Sequence, residues 1–475
     1  MFTLAHPQPW DAARGPAAAW VVSNSASSAN IRFCLFLIYY FSLCDTALKP
    51  LPLALATVLR YLPEALLYLF VLALLYKRVR IRSFPLFWPL CLCALCMTVS
   101  GAINHSELSA VASDFRSYFR FSAFAYILWR TRMSPRRIVQ FIDGFLGLTV
   151  IELMVGGIEM VGGARVKDLF SPALGWGSNS GPVSGMINTD PGTWLAGTLS
   201  NYNHYGMFMA LSCILALSMY FAQGARRYLW MAWLSASAVV LSISRHALLA
   251  LIVGVAVSLF FHRRQWLKSS RLPRLAAIGI CAVLASVLLG ISVPAIRGRV
   301  ASVVSPDVVG GDPDANVRLF MTLTLTPRFL AADPLFGQGP IPASEAAPVG
   351  SDDQSLGPTL KAAPEMPGWV TFHLGDVVWV MVLGLYGCLG LIAFGAVFAA
   401  LVRAAMRVRA SAQNPEIVAA AESCLIAAIL FLLAGFFSQE IISRDTIPVF
   451  WALAGTVLSL SQGSTPNTLR LLQAR

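Results

Sequence analysis

About a dozen stretches of this chain are apolar and long enough to cross a lipid bilayer, and that fixes the solvent its fold has to answer to. A helical span needs about 20 mostly apolar residues. In hydrocarbon each backbone N–H and C=O must find its partner within the protein, so such spans form helices. Composition agrees. Hydrophobic residues make up 57% of the chain, mean hydropathy is +0.68 and only 12% of residues are charged, about half the charge of an ordinary soluble domain. The sequence predicts an all-α polytopic membrane protein with spans at 31–48, 56–76, 84–103, 114–130, 138–161, 203–222, 228–243, 246–262, 274–294, 376–402, 417–437 and 446–461.

The basic residues set an orientation. The clusters Lys77–Arg82, Arg130–Arg137, Arg226–Arg227, Arg263–Arg274 and Arg403–Arg409, together with the two ends of the chain, hold 22 of the 35 Lys and Arg residues. The opposite side holds 18 of the 23 acids. The alternation runs unbroken through twelve expected spans, which places these clusters and both termini in the cytoplasm. The net charge of +12 is then explained by topology. A nucleic-acid partner is not expected, because the cations are scattered over separate short loops. Residues 1–30 are polar and Ala/Ser-rich and read as a cytoplasmic tail, as do residues 462–475. Residues 31–461 read as a single transmembrane domain. All nine cysteines lie in apolar segments, where cysteine serves as a small hydrophobe; a disulfide framework is not expected.

Two connections are long, and both fall on the outer side: 162–202, rich in Gly, Ser and Pro, and 295–375, which carries acids, prolines and glycines. Long loops in compact proteins are usually functional or disordered. In the second, Asn316–Ala332 has the apolar content of a surface helix, with Pro327 expected to kink it. No internal repeat and no matched pair of Gly/Pro-broken helices is visible, which argues against an inverted-repeat transporter.

Charge on the outer side gains nothing from the topology rule, so each such residue needs its own reason. Arg245 stands at a tight turn between two apolar spans, in Ser242-Ile243-Ser244-Arg245-His246. A guanidinium there either snorkels or grips an anion, and its planar fork matches phosphate oxygens. Arg116 and Arg120 share a helix face and repel each other unless an anion or an acid lies between them. Asp114 is one possible partner. Arg60 and Glu64 also share a face and are expected to pair. His373 closes the long outer loop, three residues before Asp376, as a proton-transfer group or as an interfacial anchor. Asn203 and His204 open the sixth span, where helix capping explains part of the pattern. Glu152 lies mid-span and is expected to be neutral or paired. No metal-site motif, phosphate-binding loop or nucleophile elbow is present.

Four segments together resemble the superfamily of O-antigen ligases and Wzy polymerases, bacterial integral-membrane glycosyltransferases. Leu199–Gly206 is similar to its Asn-rich opening of a middle helix, and Ser244-Arg245 followed by Ala247–Leu249 to its Ser-Arg turn. Arg318 through Pro334-Leu335-Phe336-Gly337-Gln338-Gly339 resembles its Arg and Pro-Leu-Phe-Gly-x-Gly segment. His373, followed by a helix with Gly384, Gly387 and Gly390, resembles its His-Asn segment, although Leu374 stands where the family often has Asn. His204 and His246 are the competing histidines.

The resemblance implies an inner-membrane enzyme with its active site facing the periplasm. Its donor is an oligosaccharide on undecaprenyl pyrophosphate, its acceptor a sugar hydroxyl on a second glycan or on lipid A-core, and it needs no cofactor or metal. Arg245 would stabilise the leaving pyrophosphate, and His373 would orient or deprotonate the acceptor. Arg116, Arg120, Arg318, Asn203, His204, His246 and Arg165 would bind pyrophosphate or glycan, with membrane lipids around the donor tail. Two loops carrying arginines lean toward a polymerase; the dominance of the second loop fits a ligase. A lipid-linked glycan flippase is the third reading.

Overall fold

The computed structural model describes residues 16–48, 51–76, 83–131, 133–170, 195–199, 202–242, 244–267, 321–340, 377–436 and 443–461. Within these the chain forms helices α1 (Pro16–Ala47), α2 (Leu53–Tyr76), α3 (Phe87–Ile103), α4 (Leu108–Phe119), α5 (Ser122–Trp129), α6 (Pro135–Phe170), α7 (Tyr202–Gln223), α8 (Arg226–Ser242) and α9 (Arg245–Leu267). A π turn (Met321–Leu325) then leads into α10 (Thr326–Ala332), followed by α11 (Val378–Ser411), α12 (Pro415–Ala434) and α13 (Ile447–Ser461). Among the described residues, six segments are long and apolar enough to cross a membrane: Ala54–Tyr76, Pro135–Gly162, Tyr202–Gln223, His246–Arg263, Val378–Ser411 and Pro415–Ala434. Ser28–Leu43, Phe87–Ile103 and Ile447–Ser461 are apolar but shorter. The architecture is that of an all-α polytopic membrane protein. The expected span 274–294 and the expected tail 462–475 lie outside the described residues.

Four expectations change. Residues 16–30 are not an irregular tail but the first half of α1, opened by Pro16 and three alanines, a favourable helix start. The expected span 114–130 is two helices, α4 and α5, that meet at Arg120–Phe121. Eight and twelve residues are too few to cross the bilayer singly, and α4 carries Ser109, Ser113, Asp114, Arg116 and Ser117. The first long loop begins later than the apolar pattern implies, because α6 continues to Phe170, through the Gly162-Gly163 pair that weakens a helix without ending this one. Pro327 does not kink a helix. It sits in the first turn of α10, where its missing N–H costs no bond.

Helix α7 is the central post. It packs against α8, α9 and α12, and each residue from Tyr205 to Met219 is buried, as expected of a helix apolar all round. Small residues bring helix backbones close: a Cβ on Gly455 of α13 would lie 2.6 Å from Ala125 Cα of α5. At the C-terminal end of α7, buried Glu422 of α12 joins three helices. Its Oε2 is 2.8 Å from His262 Nε2 of α9, and its Oε1 accepts from Arg409 Nε of α11 at 2.9 Å. The Arg409 guanidinium also lies over the Phe261 ring, 4.3 Å from its centroid.

Helix α11 is broken at Gly387 (φ 63°, ψ −167°). The break frees backbone groups, and the segment 334–339 takes them up. Gln338 N donates to Gly384 O and Gly339 N to Leu385 O, both at 2.9 Å, while Cys388 N donates to Pro334 O at 2.8 Å. Ser100 Oγ of α3 donates to Leu385 O at 2.8 Å, and Asn104 Nδ2 to Gly337 O at 2.9 Å. Two of the motif segments read from sequence are thus one interlocked unit. Gly337 (φ 67°) admits no side chain, because a Cβ would sit 2.6 Å from the backbone of Leu385, Tyr386 and Gly387. Gly337→Ala is expected to destabilise the protein by about 2 kcal/mol or more through strain and clash, read as a lowered thermal midpoint in detergent. Gly395→Ala, at a helical site with nothing within 4 Å of the added methyl, is expected to be neutral or slightly stabilising.

Candidate functional site

The N-terminal end of α7 gathers polar residues from several helices. A Cβ on Gly206 would lie 2.7 Å from Ser242 Oγ, 2.8 Å from Ala247 Cβ and 3.0 Å from Ser244 Cβ. The Asn-rich opening and the Ser-Arg turn therefore touch. Ser244 caps α9: its carbonyl accepts from Leu248 N at 2.9 Å and its Oγ from Ala247 N at 3.4 Å. Arg245 is the first residue of that helix, and its side chain lies outside the description. His246 is buried, with Nδ1 3.3 Å from Ser244 Oγ. Asn203 and His204 lie in the first turn of α7. His204 Nδ1 is 3.1 Å from Oδ2 of Asp445, a buried residue just before α13. A histidine whose one nitrogen is fixed by a carboxylate has a defined ring orientation, which suits it to hold or move a proton.

Next to Asp445, Arg444 Nη2 donates to the Arg60 carbonyl at 2.8 Å, and its guanidinium lies 5.6 Å from the Phe41 ring centroid. The acid between Arg116 and Arg120 is Glu64 of α2, which is 3% exposed. Arg116 places Nε and Nη2 on the two Glu64 oxygens, the second at 2.7 Å. Arg120 Nη1 lies 3.7 Å from Glu64 Oε2. Asp114, the partner considered from sequence, instead accepts a short hydrogen bond from the Tyr386 hydroxyl, one residue before the break in α11. Arg116 and Arg120 thus belong to an ion-pair cluster that spends much of their charge on Glu64.

A second group of acids lies on α6. Glu152 and Glu159 are seven residues apart, hence on one face, and both are buried. They hold the segment 195–199. Glu159 Oε2 accepts from Ala196 N at 3.1 Å and Gly197 N at 3.0 Å. Glu152 Oε2 accepts from Thr198 N at 2.9 Å, and its Oε1 accepts a short bond from Thr198 Oγ1. The Thr198 hydroxyl is also 3.1 Å from Ser42 O of α1. Gly197 (φ 60°) turns the chain so that three successive N–H groups reach α6.

Of the other residues singled out from sequence, Arg165 lies in the helical extension of α6, its side chain outside the description. Arg318 and His373 fall outside the described residues. Sequence reasoning missed Asp445, Glu159 and the tertiary role of Glu64. The available signal was polarity: Asp445 and Glu159 are acids beside or within apolar runs, where a charge needs a partner.

The geometry defines a polytopic helical membrane protein with a mixed cationic and acidic layer at the N-terminal end of its central helix. Residues 230–362 match the family described as O-Antigen ligase. The match covers just over a quarter of the chain and includes the Ser-Arg turn and the Pro334–Gly339 segment. No curated protein matches the chain.

Breaking a largely buried ion pair from one side leaves a charge stranded and costs about 3–5 kcal/mol. Glu64→Ala is expected to fall at the lower end of that range, because the Arg116 side chain is 39% exposed and water screens it. The loss should appear as reduced thermal stability in detergent, and Glu64→Ala combined with Arg120→Met should recover part of it.

Proposed function

We propose that this chain is a glycosyltransferase of the bacterial inner membrane, moving an oligosaccharide from undecaprenyl pyrophosphate to lipid A-core at the periplasmic face, as an O-antigen ligase does. The observation that carries this reading is the family match over 230–362. Its Ser-Arg turn packs against the first turn of α7, beside the His204–Asp445 pair. The description of the matched family favours a ligase over the polymerase that two arginine-bearing loops suggested. The extension of α6 to Phe170, which shortens the first loop, weakens the two-loop argument further.

In this reading the acceptor hydroxyl attacks the anomeric carbon, a new glycosidic C–O bond forms, and the bond from that carbon to the pyrophosphate oxygen breaks. The leaving group carries growing negative charge, and preorganised cations in a partly dry site stabilise it. Arg245, at the N-terminus of α9, is the first such cation, and the positive end of the helix dipole adds to it. Arg318, Arg165 and the unneutralised part of the Arg116–Arg120 charge support it. His373 orients the acceptor and takes its proton. His204, Asn203 and His246 bind the pyrophosphate or its first sugar.

Arg245→Ala and His373→Ala are each expected to lower transfer by about 100-fold or more while leaving the protein inserted and monodisperse. Normal transfer by either variant removes that residue from the mechanism. Purified protein given the lipid-linked glycan alone should yield no product, and adding lipid A-core should yield glycosylated core. A ladder of longer lipid-linked glycans without added core would identify a polymerase. Transbilayer movement of the donor without a new glycosidic bond would identify a flippase.

A further inference from the structure

Glu152 and Glu159 have no part in the chemistry above, yet both sit in an apolar helix where a carboxylate is unfavourable, and such residues usually serve a function. Four of their bonds leave α6 and reach Ala196, Gly197 and Thr198, and the three N–H groups accepted there belong to a non-helical segment. The same contacts run on to α7. The Tyr205 hydroxyl donates to the Glu152 carbonyl at 3.4 Å. A Cβ on Gly156 would lie 2.5 Å from that hydroxyl, and one on Gly197 would lie 2.9 Å from the Tyr205 ring. Tyr205 is fully buried, and its chain neighbour is His204, whose ring meets Asp445.

We propose that Glu152 and Glu159 are positioning residues: by clamping Ala196–Thr198 onto α6 they seat Tyr205, and through it hold the His204 imidazole against Asp445. The inference rests on the reading above that gives His204 a role at the substrate. Three elements converge on three successive residues of α7. The clamp lies against Tyr205, the Asp445 carboxylate just before α13 meets the His204 ring, and the Ser244 turn closes on Gly206. Removing the clamp leaves the ring and its carboxylate in the sequence but frees the backbone that aims them.

The test is a double-mutant cycle on the full-length protein in nanodiscs. A displacement of about 1 Å at a reacting group can cost up to about 100-fold, so Glu159→Ala and Glu152→Ala should each lower kcat/KM for the lipid-linked donor roughly 10- to 100-fold. They should reproduce the division between kcat and KM that His204→Ala shows. In a His204→Ala background neither should lower the rate further, because a residue acting through His204 has nothing left to aim. Glu159→Gln should stay within about threefold of wild type, since both N–H groups converge on one oxygen that an amide carbonyl replaces.

Equal losses with and without His204, wild-type kinetics in both alanine variants, or a Gln variant as impaired as the Ala variant would each overturn the proposal. Should the alanine variants fail to insert, Thr198→Val removes one of the four bonds, together with the contact to Ser42 O, with the backbone intact. It should cost roughly two- to fivefold with His204 present and nothing without it; a loss of the same size in both backgrounds, or none in either, overturns the proposal. A second readout does not depend on transfer. The His204 ring-nitrogen NMR signal, assigned by its absence from His204→Ala, should move in Glu159→Ala and stay in place in Glu159→Gln. An unmoved signal in Glu159→Ala overturns the positioning role. Absence of glycan transfer by the wild type, with the signal still moving, would instead overturn the functional reading and leave the clamp standing.

Discussion

A backbone N–H or C=O without a partner in hydrocarbon costs several kcal/mol, and the irregular parts of this molecule are arranged around that cost. Two non-helical segments pack against membrane-spanning helices. One, 195–199, has its N–H groups taken by two carboxylates of α6. The other, 334–339, exchanges hydrogen bonds with the two halves of α11 where Gly387 interrupts the helix. In both, chain that would be unstable beside lipid is satisfied from within the protein. Glu152, Glu159, Gly197, Gly337 and Gly387 follow from this single requirement.

The charged layer is mixed in sign rather than simply cationic. Glu64 binds Arg116 and Arg120, and Asp445 holds His204. A field of unopposed arginines would be costly to assemble in a partly dry site, and flexible side chains would lose entropy on ordering. Acids placed between the cations order them in advance, at the expense of part of their charge. An anionic headgroup arriving at this end of the bundle meets groups already held in place, the condition for electrostatic stabilisation with little reorganisation.

Much of this was legible in the sequence, and the illegible parts share a cause. The spans at α2, α6, α7, α9, α11 and α12 are read correctly because apolar runs of that length have one solution in lipid. The need for an acid between Arg116 and Arg120 also follows from helical spacing. Its identity does not, because Glu64 lies 52 residues away in sequence and becomes a neighbour only when α2 and α4 come together. The division of 114–130 into two helices escaped because no Gly or Pro marks it; polar side chains that find partners on α2 and α11 decide it. The glycines at 337, 384 and 387 were visible as motif residues, but their joint use required knowing which segments interlock.

The contact of Glu422 with His262 and Arg409 has a mechanical consequence. It ties α9, α11 and α12 together at the C-terminal end of α7, while His204 and Asp445 lie at the other end, about 30 Å away along a helix of 22 residues. At the opposite end Trp379 Nε1 of α11 donates to Leu432 O of α12 at 2.8 Å. Those two helices are therefore pinned near both ends and cannot part from each other as rods hinged at one end would.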